Sequence, residues 1–346
     1  MEFHNISKFY DKLQDDESRN LFIAKTDFLI HNDERKFIKF LLSNNKKYMV
    51  SRYDDIRDWY KNKKVVIRGA GCDGEMTYRI LQNMGIEVEG FCDNSITKQN
   101  EGFMGKKVIS EADLIVNYRD RFVVIASRKF GASMYSNIIS KYFPRENIFL
   151  PRNGMLYATT GMQYFDCPLF VPEEEEIFVD CGCYDAETSN QFSNWCKGNY
   201  NRIIAFEPDK ILFSTIKENC KLPHFDIFPY ATGEHKHEAS FSMTSDGGSG
   251  ISANGSEKVW VNSIDNVLNG EKATFIKMDV EGAELESLKG ASLTIQKYKP
   301  KLAISIYHKP EDIVEIPCFI ESLRNDYRYY IRHYTNCMWE TILYAI

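Results

Sequence analysis

The sequence predicts an α/β protein, with two α/β units each built on a mostly parallel sheet and a helical arm in front of them. Three observations predict it. Short apolar runs, among them Val65-Val66-Ile67, Ile177-Phe178-Val179 and Ile203-Ile204-Ala205-Phe206, have strand length and alternate with helix-length segments. Such alternation demands parallel pairing through crossover helices. Two of the runs open into glycine turns, at Gly69 and Gly182. The first sixty or so residues instead repeat apolar residues at helical spacing.

Residues 1–61 are expected to be the helical arm. Leu21, Phe22, Phe28 and Leu29, then Phe37, Ile38, Leu41 and Leu42, recur between charged residues, and Ser51 to Lys61 continues with Tyr53, Ile56, Trp59 and Tyr60. Such apolar stripes need a covering surface, which makes self-association into a homo-oligomer an expectation. Residues 62–150 form the first α/β unit. Its strands are Val65–Ile67, Ile86–Phe91 and Val123–Ala126, with helices from about Glu75 to Met84 and Ala132 to Tyr142. Residues 151–175, with Pro151, Gly154, Gly161, Pro168 and Pro172, read as a connector. Residues 176–346 form the second unit, with strands Ile177–Val179, Ile203–Phe206, Phe275–Met278 and Leu302–Ile306. Tyr329–Tyr334 and Glu340–Ala345 close it as an antiparallel pair.

The chain has 346 residues, about two domains' worth. Its net charge of −6 argues against a nucleic-acid partner, because phosphate affinity needs clustered cations. No stretch approaches the roughly 20 apolar residues of a membrane span. Nine cysteines, an odd number without a regular framework, point to reduced thiols and the cytoplasm. Cys181 and Cys183 stand too close for a zinc-finger pair, and no metal site is assigned.

The first turn, Gly69-Ala70-Gly71-Cys72-Asp73-Gly74, matches G-x-G-x-x-G between a strand and a helix. Glycines there permit a tight turn and close approach of a phosphate to the helix N-terminus. Asp93 lies 24 residues beyond Gly69, where a ribose-binding acid stands in such units. Gly69, Gly71, Gly74 and Asp93 therefore form a candidate nucleotide site. With Gly90-Phe91-Cys92-Asp93-Asn94 the segment resembles the Rossmann-like nucleotide-binding domains of sugar-modifying proteins.

The second turn carries more chemistry. Phe178-Val179-Asp180-Cys181-Gly182-Cys183-Tyr184 runs a strand into an acid and a tight turn. Such a turn holds a nucleoside by backbone contacts while Asp180 reaches a charged amino group. Glu207, 27 residues after Asp180, ends the next strand, where a carboxylate accepts both hydroxyls of a ribose. Lys277-Met278-Asp279-Val280-Glu281-Gly282-Ala283-Glu284 ends the third strand at the same carboxyl edge, where open α/β sheets bind ligands.

With Asp180-Cys181-Gly182, Phe206-Glu207-Pro208, Ile276 to Glu284, Leu288-Lys289-Gly290-Ala291 and Ser305 to Asp312, the chain from about 175 to 346 resembles the FkbM family of S-adenosylmethionine-dependent methyltransferases. The resemblance implies a class I methyltransferase sheet, mostly parallel with a closing antiparallel strand, and S-adenosyl-L-methionine as cofactor. It places Asp180 and Gly182 at the methionine end and Glu207 on the ribose. Tyr184, Thr188, Pro208, Ala231 and Asp279 join the same site, Ala231 with Tyr230 and Thr232 beside the adenine. One departure stands out: Ala186 occupies the place of the glycine that closes the motif, which costs little at negative φ and strains the backbone at positive φ.

The implied reaction is O-methylation of a hydroxyl on a sugar, glycan precursor or small metabolite, the acceptor being a small molecule that is nucleotide-linked in some of these readings. His308, Asp279 and Glu281 are the catalytic candidates, a base near the acceptor being worth a large factor in rate. Asp312 and Arg332-His333 are placed on the acceptor side, and the loop Ser245 to Ile251 is a closing segment. Two other readings compete: an NAD-dependent oxidoreductase or epimerase using Gly69 to Gly74, and a non-catalytic nucleotide-sugar-binding protein.

Overall fold

Seven strands form the larger sheet in the order β15-β16-β14-β13-β6-β7-β8. They are β6 (Ile177–Cys181), β7 (Arg202–Phe206), β8 (Phe225–Phe228), β13 (Phe275–Met278), β14 (Lys301–Ser305), β15 (Tyr329–His333) and β16 (Thr341–Ala345). Numbered by appearance within this sheet the order is 3-2-1-4-5-7-6. Neighbours from β8 through β14 pair in parallel, while β16 runs antiparallel to both β14 and β15. This is the mostly parallel sheet with a closing antiparallel strand that the sequence predicts. The computed structural model describes residues 3–44, 63–151, 162–242, 250–251 and 255–346. The expected helical stretch 51–61, and all but Gly250 and Ile251 of the expected closing loop, lie outside the described residues.

These strands are legible as apolar runs because helices cover both sheet faces, so side chains on either face are buried. The crossovers are α8 (Glu187–Trp195) after β6, α9 (Lys210–Asn219) after β7, α11 (Glu284–Lys289) and α12 (Ser292–Tyr298) after β13, and α13 (Asp312–Leu323) after β14. Phe178 stacks on Phe192 at 4.3 Å between ring centroids, and Phe165 and Phe170 meet Phe275 edge-on at 5.6 and 5.0 Å. Phe165 and Phe170 come from the stretch read as a connector, whose described part supplies core to this sheet. Between β8 and β13 a smaller sheet, β11-β10-β12-β9, is built from β9 (Tyr230–Thr232), β10 (His237–Ser242), β11 (Gly250–Ile251) and β12 (Glu257–Asn262).

The helical arm is present as α1 (Phe3–Lys12), α2 (Asp16–His31) and α3 (Glu34–Asn44). Asp15 caps α2 by accepting the Ser18 N–H at 2.9 Å, and it pairs with Arg332 of β15. Ser18 Oγ accepts the Ile331 N–H at 2.9 Å, and Phe9 meets Tyr329 edge-on at 5.1 Å. The stripe of Phe9, Leu13, Leu21 and Phe22 is thus buried within the chain's own first unit, which comprises residues 1–32, 161–333 and 339–346.

Residues 33–160 and 334–338 form a second unit. Its five-stranded parallel sheet has the order β3-β2-β1-β4-β5. The strands are β1 (Val65–Arg68), β2 (Val88–Cys92), β3 (Lys107–Ile109), β4 (Phe122–Ile125) and β5 (Ile148–Phe149). Its helices, after α3, are α4 (Cys72–Asn83), α5 (Ile96–Glu101), α6 (Glu111–Asn117) and α7 (Gly131–Ser140). Val65, Ile67, Val124 and Phe91 pack with Tyr78, Ile80 and Leu81 of α4 on one face. Val66, Val123 and Ile125 pack with Leu114 of α6 and Ile138 of α7 on the other.

Candidate functional site

Three strand ends of the seven-stranded sheet meet at one edge through backbone hydrogen bonds. Gly182 and Cys183, leaving β6, donate to Phe206 O at 3.2 and 3.1 Å, and Asp279, leaving β13, donates to Cys181 O at 3.1 Å. Gly182 has φ +75°, and a Cβ there would run into the carbonyl oxygen of Asp279, so glycine is required where β6 turns beside β13. Glu207 follows β7 and is 6% exposed. Its two oxygens accept the Tyr184 N–H at 3.0 Å and the Asp209 N–H at 2.9 Å. Burial pushes its carboxyl up to about 7, despite these two hydrogen bonds.

Asp180 is placed differently from its expectation. It is 0% exposed, accepts a hydrogen bond from Ser189 Oγ at 2.8 Å and pairs with Lys277 Nζ at 3.0 Å. Lys277 also donates to Gly182 O at 2.7 Å. The carboxylate therefore stands behind the turn and braces it through Lys277. Tyr184 is exposed, Thr188 half-buried in the first turn of α8 and Pro208 half-buried beside Glu207. Ala231 is buried in β9, opposite Val261 of β12. Phe206, Phe228 and Tyr230 make a stacked aromatic row, at 5.8 and 6.3 Å between successive centroids. Ala186 has φ +64°, the strained alternative.

Beyond Asp279 lies a carboxylate cluster around one histidine. His308 Nδ1 is 2.9 Å from Glu284, and its Nε2 is 3.4 Å from Glu281 and 3.5 Å from Asp279. Burial alone would lower the imidazole, but the three carboxylates raise it to about 11. At neutral pH it is an imidazolium, which gives hydrogen bonds and does not take protons. Glu284, fully buried, also accepts the Val280 N–H at 2.9 Å. Asp279, Glu284 and His308 each bring one ligating atom within 4.8 Å of the others, so Glu284 takes a place in this grouping that sequence reasoning gave to Glu281 alone. Glu281 and Gly282, at φ +54° and +92°, carry the backbone past the cluster in the left-handed region.

Sequence reasoning missed three members. Tyr164, from the presumed connector, donates to Asp279 Oδ2 at 2.6 Å, and Lys277 lies 5.2 Å from its ring centroid. Tyr307 donates to Asp279 Oδ1 at 3.1 Å. Glu340, just before β16, is hydrogen-bonded by Gln163; burial and then Asp279 push its carboxyl up to about 7. Asp279 itself is held low: burial opposes this, but Lys277 and His308 outweigh it. No local sequence signal joins these residues, since Tyr164 and Asp279 stand 115 positions apart. Asp312 accepts the Lys309 N–H at 2.9 Å, Arg332 is held by Asp15, and buried His333 bonds Thr341 at 2.7 Å.

In the second unit, packing explains most of the glycine turn. A Cβ at Gly69 would strike the Ala126 carbonyl, and one at Gly74 the Gly69 carbonyl, whereas Gly71 faces open space. Asp93 accepts the Ala70 N–H at 2.8 Å and the Ser95 N–H at 2.9 Å, which fixes its carboxylate beside the turn.

Residues 180–329 match the family described as the Methyltransferase FkbM domain. No curated protein matches the chain significantly. Among solved structures, a methyltransferase FkbM from Methylobacillus flagellatus KT is 21% identical, with a TM-score of 0.49 over 94% of this chain and 98% of that one. A precorrin-6y C5,15-methyltransferase from Geobacter metallireducens is 13% identical, with a TM-score of 0.32 over 51% of this chain and 81% of that one. Aeropyrum pernix fibrillarin, determined with natively bound S-adenosyl-L-methionine, is 9% identical, with a TM-score of 0.31 over 50% of this chain and 67% of that one.

Proposed function

We propose that this protein transfers a methyl group from S-adenosyl-L-methionine to a hydroxyl of a sugar, glycan precursor or other small metabolite, in the cytoplasm. The observation that carries this reading is the meeting of Gly182, Glu207 and Asp279 at one sheet edge, joined by the hydrogen bonds of Phe206, Cys181 and Tyr184. The match of residues 180–329 to a methyltransferase domain supports it. All nine cysteines are unpaired, which suits a reducing compartment, and no helix among the described residues is long and apolar enough to cross a membrane.

The donor set fits the cofactor. Glu207 offers a carboxylate to a ribose diol, with Pro208 beside it. Phe228, Tyr230 and Ala231 offer an apolar wall to an adenine. Gly182, Tyr184 and Thr188 flank the methionine end, and Asp180 acts on that end through Lys277. The acidic cluster of Asp279, Glu281, Glu284 and Glu340 suits a ligand with a cationic centre. The cofactor when bound supplies a methyl carbon on a sulfonium, open to displacement by an acceptor oxygen.

The chain's own residues then align that oxygen and take its proton. Glu340, raised to about 7, is poised to accept the hydroxyl proton at neutral pH. Asp279, held ionised and gripped by Tyr164 and Tyr307, gives the acceptor a fixed carboxylate to align on. His308 as an imidazolium keeps Glu281 and Glu284 in place and is a positioning residue.

Calorimetric titration with S-adenosylhomocysteine, with NAD in a parallel arm, tests the reading. Binding of the former is expected, with affinity reduced by at least about a hundredfold in Glu207→Ala. Normal binding by that variant would remove the site assignment, and binding of NAD alone would remove the reaction class.

A further inference from the structure

A second cleft lies in the other unit, at the carboxyl ends of β1 and β2, bounded by α7. It has a volume of about 740 Å³ and is lined by Arg68, Cys92, Asp93 and Asn94 from the sheet and by Phe130, Ser133, Met134, Ser136, Asn137 and Ser140 from the α7 side. Such a volume is that of a small-molecule pocket. Open parallel sheets bind ligands beyond the carboxyl ends of their strands, and this cleft lies at such ends, those of β1 and β2.

Arg68 is the feature the fold does not explain. It ends β1, is 3% exposed, and its Nε has no hydrogen-bond partner. One Nη donates to Glu111; the other reaches only Cys92 Sγ, at 3.4 Å. A guanidinium carries five donors, and burying it with most of them unpaired is costly. Glu111 does not compensate for it alone, because the same carboxylate is shared with Lys141 and with Asn137 Nδ2 at 3.1 Å. Two cations thus meet one acid, and one of them, Arg68, lines the cleft. Lys129 stands 5.3 Å from the centroid of the Phe130 ring. Helix α7 is entered through Phe130 without a side-chain cap, which leaves the N–H groups of its first turn without an intrahelical partner. Hydroxyl and amide groups of Ser133, Ser136, Asn137 and Ser140 follow along the helix. The exposed ring of Phe130 and the thioether of Met134 supply an apolar surface beside them.

We propose that this cleft binds a nucleoside phosphate, with phosphate oxygens on Arg68 and α7 and the base against Phe130 and Met134. No residue of the Gly69–Gly74 turn lines the cleft. The assignment is independent of the methyl-transfer reading. Free nucleotides and nucleotide-linked sugars share this chemistry.

The test titrates UDP, ADP, GDP, CDP and inorganic pyrophosphate separately into the full-length chain by calorimetry, with S-adenosylhomocysteine as a separate arm. At least one nucleoside diphosphate is expected to bind about tenfold or more tightly than pyrophosphate, because the base adds contacts. Ser136→Asp places an anion on an exposed helix position and is expected to weaken that binding about tenfold or more without shifting the thermal midpoint. Arg68→Gln is expected to abolish it. A UDP-linked and an ADP-linked sugar then distinguish the sources: tighter binding than the free diphosphate assigns the cleft to a sugar donor or acceptor, equal binding to the nucleotide alone. Failure of all four diphosphates below about 1 mM overturns the proposal. So does pyrophosphate binding as tightly as they do, or an unchanged affinity in Ser136→Asp. Unaltered S-adenosylhomocysteine affinity in Ser136→Asp locates the loss in the cleft, whereas loss of both ligands counts against it.

Discussion

Lys277 and Asp180 meet at 3.0 Å with side chains 2% and 0% exposed, an ion pair buried between the Gly182 turn and β13. Lys277 also donates to the Gly182 carbonyl at 2.7 Å. One cation thus ties the glycine turn to the strand that leads into Asp279. Removing one partner of a buried pair strands the other charge, which costs about 3–5 kcal/mol. Lys277→Met is expected to destabilise the protein by about that amount in urea unfolding, and Lys277→Met with Asp180→Asn by less than the sum. Additive losses would mean that the two do not act as a pair.

Glu207 gives a pH dependence of known sign. Its carboxyl is raised to about 7 in the folded protein by burial. Its stabilising effect relative to the unfolded chain is complete below the unfolded value near 4.5 and is lost as pH rises toward 7. Ligand binding runs the other way, because the ionised form accepts ribose hydroxyls. Affinity for S-adenosylhomocysteine is expected to fall about tenfold between pH 8 and pH 6. In Glu207→Gln the affinity should be lower throughout and nearly flat with pH; a slope that persists there would assign the titration to another group.

The seven-stranded sheet was legible because its strands are buried on both faces, which leaves unbroken runs such as Ile203–Phe206. Strand β10, His237–Ser242, has only Phe241 fully buried and carries no such run. The short β3 and β5 are likewise too brief to stand out. At the site, Gly182, Glu207 and Asp279 could be found because each ends a strand. Tyr164 and Glu340 could not, because only the folded chain brings them to Asp279 and Gln163. Asp180 and Asp93 were found as strand-end acids, but not the partners the fold gives them, Lys277 and the Ala70 N–H. A sequence shows an acid at a strand end; it does not show which donors already occupy it.

His308 is the next test. Its imidazole, raised to about 11 by Glu281, Glu284 and Asp279, should remain protonated from pH 6 to 9, read from its ring-proton chemical shift. The folded value exceeds the unfolded one near 6.5, so its stabilising contribution is full below 6.5 and is lost as pH rises toward 11. His308→Gln leaves Glu284 buried without its cation and is expected to cost about 3 kcal/mol or more, flattening that decline. A shift change centred near pH 6.5 would restore His308 as a base.

Glu340 separates from Glu207 by the quantity it moves. At saturating cofactor, kcat should rise through pH 7 as Glu340 ionises. Glu340→Gln should lose that rise and at least about a hundredfold in kcat, with cofactor affinity preserved. Its stability above pH 7 should equal or exceed that of the parent, because a buried carboxylate no longer has to ionise. Retained kcat in this variant would exclude Glu340 as the proton acceptor.

Ala186 carries the price of a methyl group in the left-handed region, at φ +64° with the residue 2% exposed. That conformation costs an L-residue about 1–2 kcal/mol relative to glycine. The same methyl packs with Cys183, Ala205 and Ile216, and burying one such group contributes about 0.8 kcal/mol. Glycine would also gain freedom in the unfolded chain, worth about 0.5–1 kcal/mol against it. The opposing effects nearly cancel, so Ala186→Gly is expected to change stability by less than about 1 kcal/mol. Ala186→Val should cost more than about 2 kcal/mol, since a β-branched side chain tolerates positive φ least and finds no room here. If glycine instead destabilised by as much as valine, the methyl would be acting as core packing, and the strain at this turn would be the smaller effect.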